Sequence, residues 1–122
     1  MTEDREELIA GRALARVEFD ADYSKDNTPE AEFVSGAEKA NLITSLASGR
    51  MHKPVIDLDL PARLVPSSTE GHFHLYIDKK VPWEAYVRLL DAMRDAGLVE
   101  AGYVSASKAR GFSAVRPPWV RK

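Results

Sequence analysis

The sequence contains no cysteine and no long hydrophobic run. The first absence excludes disulfides, thiolate nucleophiles and zinc sites built on cysteine, and it is typical of proteins in a reducing compartment. The second argues against a membrane-spanning helix, which needs roughly 18 consecutive apolar residues. Residues 1–17 are acidic on balance and lack the basic-then-apolar pattern of a signal peptide. We therefore expect a cytoplasmic protein with no membrane partner.

Three patterns with known chemistry are also missing. The sequence has no glycine-rich phosphate loop, no serine nucleophile elbow and no zinc-finger spacing of ligands. It therefore gives no direct sign of a nucleotide-binding enzyme, a serine hydrolase or a zinc finger.

The net charge of −2 hides an uneven distribution of acidic and basic residues. Residues 1–38 hold eleven acidic and four basic residues, a net charge of −7, whereas residues 101–122 hold five basic residues and no acidic one. The basic residues of the second segment are Lys108, Arg110, Arg116, Arg121 and Lys122. Such a segment can contact the phosphates of a nucleic acid. The alternative is a solvated tail.

Local patterns predict four helices. Capping pairs start the first two, Asp4 with Glu7 and Ser35 with Glu38. Proline is favoured in the first helical turn and starts the third helix at Pro82. The predicted helices span residues 4–15, 36–48, 82–97 and 102–110.

Alternating apolar residues and short apolar runs between turn residues predict four strands. These strands span residues 17–23, 54–60, 72–78 and 112–116, with residues 64–65 as an extension of the second. At 122 residues, with 44% hydrophobic and 30% charged residues, the chain has the size and balance of one domain. We therefore expect a single α+β domain over residues 1–122, with a mostly antiparallel sheet and helices packed on one face.

Two of the predicted strands place acidic and imidazole side chains on shared faces. Because side chains alternate along a strand, Asp57 and Asp59 share one face, as do His72 and His74 on the next strand. The apolar residues of both strands should then face the core. Since the connection between the strands is short, we expect antiparallel pairing that brings the two polar faces together.

Two carboxylates and two imidazoles on one surface form a candidate metal site. Asp57, Asp59, His72 and His74 offer oxygen and nitrogen ligands that suit Mg²⁺, Mn²⁺ or Zn²⁺. Paired carboxylates favour a hard cation that bridges phosphates, so Mg or Mn is the cofactor to expect if this face is a site. The alternative is an ordinary solvated face, because a half-exposed sheet face is polar in any case.

The same residues resemble motifs of the archaeo-eukaryotic primase–polymerase superfamily. The stretch from Asp57 to Asp59 looks like the Asp-x-Asp strand of that family. Residues 69–74 look like its Ser-x-His-like strand, with His74 in the histidine position, and residues 114–122 are similar to its basic third region.

This resemblance covers residues 55–122 and implies a metal-dependent phosphoryl-transfer or nucleic-acid-processing domain. In such a domain Asp57 and Asp59 hold Mg or Mn and His74 contacts phosphate. Arg116 would neutralise the backbone of the nucleic acid.

A second resemblance is to the HUH endonucleases, which start rolling-circle replication. Residues 72–74 match their two histidines around a hydrophobic residue. The resemblance implies a metal site completed by Glu70 or Asp57. It also implies a helical tyrosine nucleophile with a nearby lysine, for which Tyr103 and Lys108 are the candidates.

The chain as a whole, and residues 52–122 in particular, also looks like small uncharacterised proteins of actinobacterial phages. This similarity favours a small non-catalytic accessory or binding protein that acts on a host or phage macromolecule. A phage-encoded protein of this kind would work in the host cytoplasm. The alternative is the metal-dependent domain described above, and the partner is a protein or a nucleic acid in either case.

Overall fold

The structure is a computed structural model that describes residues 4–18 and 31–120. Its α-helices are α1 (Arg5–Ile9), α2 (Trp83–Asp95) and α3 (Ala101–Arg110). Its strands are β1 (Leu14–Arg16), β2 (Glu32–Val34), β3 (Leu42–Ile43), β4 (Ala62–Pro66) and β5 (Phe73–Ile77). All of the strand pairs are antiparallel, so the predicted α+β class with antiparallel strands is confirmed.

The chain divides into two compact units, Met1–Asp57 and Leu58–Lys122. This division does not test whether the chain is one domain, which stays a prediction. None of the helices in the two described ranges is long and apolar enough to cross a membrane.

The first unit is built around β1, the central strand of a three-stranded sheet with the order β2-β1-β3. Ala15, in the middle of this strand, is fully buried, and Leu14 and Val17 are buried beside it. Residues 19–23 of the predicted strand 17–23 lie outside the described residues. The strand that the structure shows in this region, β1, ends at Arg16, before the predicted strand begins, and residues 17–18 are not in a strand.

The predicted helix over residues 4–15 is correct only in its first half. The Asp4 carboxylate caps α1 by accepting two backbone N–H groups of the first turn, at 3.0 and 3.4 Å. The helix ends at Ile9, and Lys53 Nζ donates to the Ala10 carbonyl at 2.8 Å, at the negative end of the helix dipole. Residues 14–16 form β1 instead, because they pair with β2 on one side and β3 on the other.

The predicted helix over residues 36–48 is wrong, because this segment pairs with β1 instead. The Asn41 side chain accepts the Val17 N–H at 3.0 Å and donates to the Val17 carbonyl at 2.9 Å. Thr44 donates to the Ala13 carbonyl twice, from its N–H at 3.0 Å and from its hydroxyl at 2.7 Å. These long-range bonds override a local helical pattern of modest strength.

The second unit contains a β-hairpin, formed by β4 and β5, and a helical hairpin, formed by α2 and α3. Leu64 lies opposite Leu75, and Val65 lies opposite His74. Leu90 of α2 and two residues of α3, Val104 and Ser107, are buried. The predicted strand over 72–78 and the predicted helices over 82–97 and 102–110 are confirmed, each to within two residues.

The predicted strands over residues 54–60 and 112–116 are wrong. Both segments lack helix and strand, and Ile56 and Leu58, which we expected in the core, are exposed. The partner of β5 is β4, which begins only after Pro61. Apolar alternation makes a strand only where a neighbouring strand accepts its backbone bonds, and aspartate favours irregular structure.

Candidate functional site

In the described residues β5 pairs with β4, whereas residues 54–60, whose pairing with β5 the predicted metal site requires, form no strand. His74 is half-buried and lies opposite Val65, which offers no ligand. Asp57 and Asp59 are exposed in an irregular segment, and His72 is exposed just before β5. Within residues 4–18 and 31–120, no three histidine, aspartate or glutamate side chains are grouped so that they could hold a metal ion. The metal site therefore stays a prediction, without the geometry that suggested it.

The predicted phosphate-contacting residues are spread along the chain's last third. Lys108 and Arg110 lie on α3 and Arg116 in the segment after it, and all three are exposed. Arg121 and Lys122 lie outside the described residues. Contact of this segment with a nucleic acid stays a prediction.

Lys108 has a partner within the chain. Its Nζ lies 2.7 Å from Asp91 Oδ1, and Arg94 Nη1 lies 3.0 Å from the same oxygen. The hydrogen bond from Lys108 is the main cause that lowers the pKa of Asp91. Desolvation, the next largest effect, raises this pKa, and the positive charges of Lys108 and Arg94 lower it further. Lys108 therefore links α3 to α2, which leaves less of its charge for phosphate or for Tyr103, the predicted nucleophile.

The side chains that the hairpin does bring together are apolar. One of its faces holds Ala62, Leu64 and Pro66 from β4 and Phe73, Leu75 and Ile77 from β5. We call this set the apolar face. It carries no charged side chain. Its large members are strongly exposed: Leu64 by 65%, Phe73 by 57%, Leu75 by 48% and Ile77 by 43%.

The expectation that the apolar side of residues 73–77 lies in the core is therefore wrong. On the opposite face of the hairpin Val65 and His74 are half-buried, so this face is better covered than the apolar face. The buried residue of α2, Leu90, belongs to the helical hairpin, where α2 packs on α3. A shallow depression of about 310 Å³ at the open end of the β-hairpin is lined by Pro61, Ala62, Arg63, Tyr76, Ile77 and Asp78.

Exposed apolar side chains extend beyond the hairpin. In the described part of the chain, twenty-one large apolar or aromatic side chains are exposed, whereas only five hydrophobic residues are buried. Scattered apolar residues are normal on a surface, but several on one sheet face form the kind of patch that marks a binding site.

Sequence reasoning missed the apolar face because it assigned every regular apolar pattern to the core. The available signal was the length of the uncharged run at Phe73–Ile77 beside a partner strand that ends in Pro66. A two-stranded hairpin is marginally stable alone and needs packing on one of its faces. Which face of the hairpin is covered depends on tertiary contacts, and the alternation of apolar residues along a strand does not predict those contacts.

Comparison with protein-family models, with curated proteins and with solved structures finds no match to this chain. The resemblances to primase–polymerases, HUH endonucleases and phage proteins therefore stay predictions made from the sequence.

Proposed function

We propose that this chain is a small non-catalytic binding protein, an accessory factor whose apolar face docks on a protein partner. The observation that supports this proposal is the exposure of Leu64, Phe73, Leu75 and Ile77 on one uncharged sheet face. Complete burial of a side chain of this size contributes about 1.5–3 kcal/mol relative to exposure. Such side chains become the centre of an interface when a partner covers them.

The chemistry of this face favours a protein over a nucleic acid. Nucleic-acid surfaces require basic side chains that neutralise phosphates, usually beside aromatic residues that stack on bases. The apolar face has one aromatic residue, Phe73, and no basic one. An apolar helix or sheet of another protein is the complementary surface.

We place this role in the cytoplasm, which is the host cytoplasm if the chain is phage-encoded. The partner would be a host or phage protein. No geometric observation on the described residues favours the metal-dependent alternative.

Site-specific photo-crosslinking in the producing cells tests the proposal. A photoreactive residue is placed at Leu64, on the apolar face, or at Arg63, the neighbouring position on the opposite face. We expect one recurrent protein adduct from position 64 and none from position 63. Equal labelling from both positions, or none at all, contradicts the proposal.

The captured protein is then purified and titrated with wild type and variants. Leu64→Ser should weaken binding by about tenfold or more, as loss of a central apolar contact does, whereas Arg63→Ser should change it little. Thermal melting of both variants serves as the control for folding. Binding of all three proteins with one affinity overturns the proposed face.

A further inference from the structure

The backbone edge of β5 is a second feature that the proposed function does not use. In the described residues β5 has one neighbouring strand, β4. The bonds at the two ends of the hairpin, from Ser67 N–H to the His72 carbonyl and from Asp78 N–H to the Pro61 carbonyl, are each 3.0 Å long. Because bonded positions alternate in an antiparallel pair, the even-numbered residues of 72–78 bind β4 and the odd-numbered ones direct their backbone groups outward.

The outward residues are Phe73, Leu75 and Ile77. Each offers an N–H and a carbonyl group along an edge of five residues without charge, proline or glycine. An uncharged edge of this kind pairs with another strand unless the protein protects it. The edge of β4 is protected, because Pro66 is an outward position there and lacks an N–H.

We propose that β5 pairs antiparallel with β5 of a second copy of this chain, with Leu75 opposite Leu75 of the second copy. Outward residues must meet outward residues, so odd-numbered positions face odd-numbered positions across the interface. The register centred on Leu75 uses all three, since it also places Phe73 opposite Ile77 of the second copy.

The charges beside β5 favour the same arrangement. In this register His72 lies opposite Asp78 of the second copy, on the face opposite the apolar face. No like charges lie opposite each other within the paired stretch. Further out, Glu70 precedes the strand and Lys79 and Lys80 follow it. An antiparallel pair therefore brings the acidic end of one strand near the basic end of the other, whereas a parallel pair would place like charges together.

The resulting sheet has four strands and a continuous apolar face contributed by both copies. A sheet of three or more strands is more stable than an isolated hairpin. The pairing rests on backbone edges and charge order, so it does not depend on the proposed function. Loss of binding by Leu64→Ser and loss of self-association are separate outcomes.

Proline substitution at two equivalent outward positions tests the pairing. Leu75→Pro removes an outward N–H from β5, and Leu64→Pro removes one from β4, while neither N–H takes part in the hairpin. Sedimentation equilibrium of the full chain is measured at protein concentrations up to about 1 mM, the range of weak association. Wild type and Leu64→Pro should both form dimers there. Leu75→Pro should dimerise at least about tenfold more weakly, a difference of about 1.4 kcal/mol.

Charge substitutions supply a second readout that survives if a proline variant fails to fold. His72 and Asp78 lie about 20 Å apart within one chain, at roughly 3.3 Å per residue, so they meet only between copies. His72→Lys should tighten the dimer and His72→Asp should loosen it, each by about threefold to tenfold, because each pair occurs twice. In an Asp78→Asn background this difference should shrink to nearly nothing.

Three results overturn the pairing. Wild type that stays monomeric throughout the concentration range is the first, and equal dimerisation of Leu75→Pro and Leu64→Pro is the second. The third is an identical effect of lysine and aspartate at position 72.

Discussion

Asn41 shows how one side chain replaces a missing strand residue. Its amide binds both backbone groups of Val17, at 3.0 and 2.9 Å, beyond the last residue pair of β1 with β3. Since Val17 is buried, its N–H and carbonyl would otherwise lack partners in the interior.

Substitution of Asn41 should therefore destabilise the first unit. We expect Asn41→Ala to lower the free energy of unfolding by roughly 1–3 kcal/mol, the cost of leaving buried polar groups unpaired. Asn41→Asp should cost at least as much, because its carboxylate can accept the N–H but repels the carbonyl. Urea unfolding followed by circular dichroism measures both, and an unchanged midpoint for Asn41→Ala would contradict the assignment.

The pairing of Lys108 with Asp91 predicts a particular titration behaviour. In Lys108→Gln the pKa of Asp91 should rise toward its ordinary value, because the hydrogen bond that most lowers it is lost. NMR titration of the carboxyl carbon measures this change. Arg110→Gln, on the same helix, is the matched control and should leave the titration as in wild type.

The same pair determines a dependence of stability on pH. Because folding lowers the pKa of Asp91, this carboxylate stabilises the folded state. Its contribution to stability is complete above the pKa of the unfolded chain, about 3.9, and is lost as pH falls through the folded pKa. The decline of stability below about pH 4 should be shallower in Lys108→Gln than in wild type. Added salt should reduce the difference, since the pair is partly exposed.

At the scale of elements, α2 ends in a Schellman motif. The N–H groups of Gly97 and Leu98 donate to the carbonyls of Arg94 and Met93, both at 2.9 Å, with Gly97 at φ 77°. A Cβ atom at position 97 would meet no neighbouring atom, so the cost of a side chain there comes from the left-handed backbone conformation alone.

Two identical substitutions should therefore have opposite effects. Gly97→Ala should destabilise the fold by about 1–2 kcal/mol, the cost of a left-handed conformation for a residue with Cβ. Gly102→Ala, in the first turn of α3 and also without a close neighbour, should stabilise it by less than the roughly 0.5–1 kcal/mol that this change gains in the middle of a helix. Thermal unfolding of the two variants checks this, and shifts in the same direction would contradict the backbone explanation.

The elements that sequence reasoning predicted well are those with local signals. Proline before α2, glycine after α2, and alternation along β5 act within a few residues of the element they specify. The helix predicted at 36–48 and the strand predicted at 54–60 failed for a non-local reason. The first segment gained bonds to β1, and the second lacks regular strand pairing in the described structure.

The candidate site was predictable only in part for the same reason. Alternation places His74 and Tyr76 on one face of β5 and Leu75 on the other, as the hairpin shows. It does not reveal which strand lies alongside, nor which face is covered. The partner strand turned out to be β4, so an imidazole expected beside aspartates lies opposite Val65.

At the scale of the whole molecule, the position of His74 opposite Val65 and of Asp57 and Asp59 in an irregular segment predicts that divalent metals do not change the stability. We expect Mg²⁺, Mn²⁺ and Zn²⁺ to leave the melting temperature unchanged, and Asp57→Asn with Asp59→Asn to melt as wild type does. A metal bound at a hundredfold excess over its dissociation constant would add about 2.7 kcal/mol. A corresponding rise of several degrees, abolished by the double variant, would restore the metal site.

Pro66 has a consequence for how much of this protein can stay in solution. A chain with two competent edges would add copies at both ends and grow without limit into a cross-β fibre, whereas a chain with one edge stops once that edge is filled. Because Pro66 lacks the outward N–H on β4, growth should end at the pair. Pro66→Val should release this restraint, and concentrated samples of that variant should then develop thioflavin-T fluorescence and turbidity while wild type stays clear.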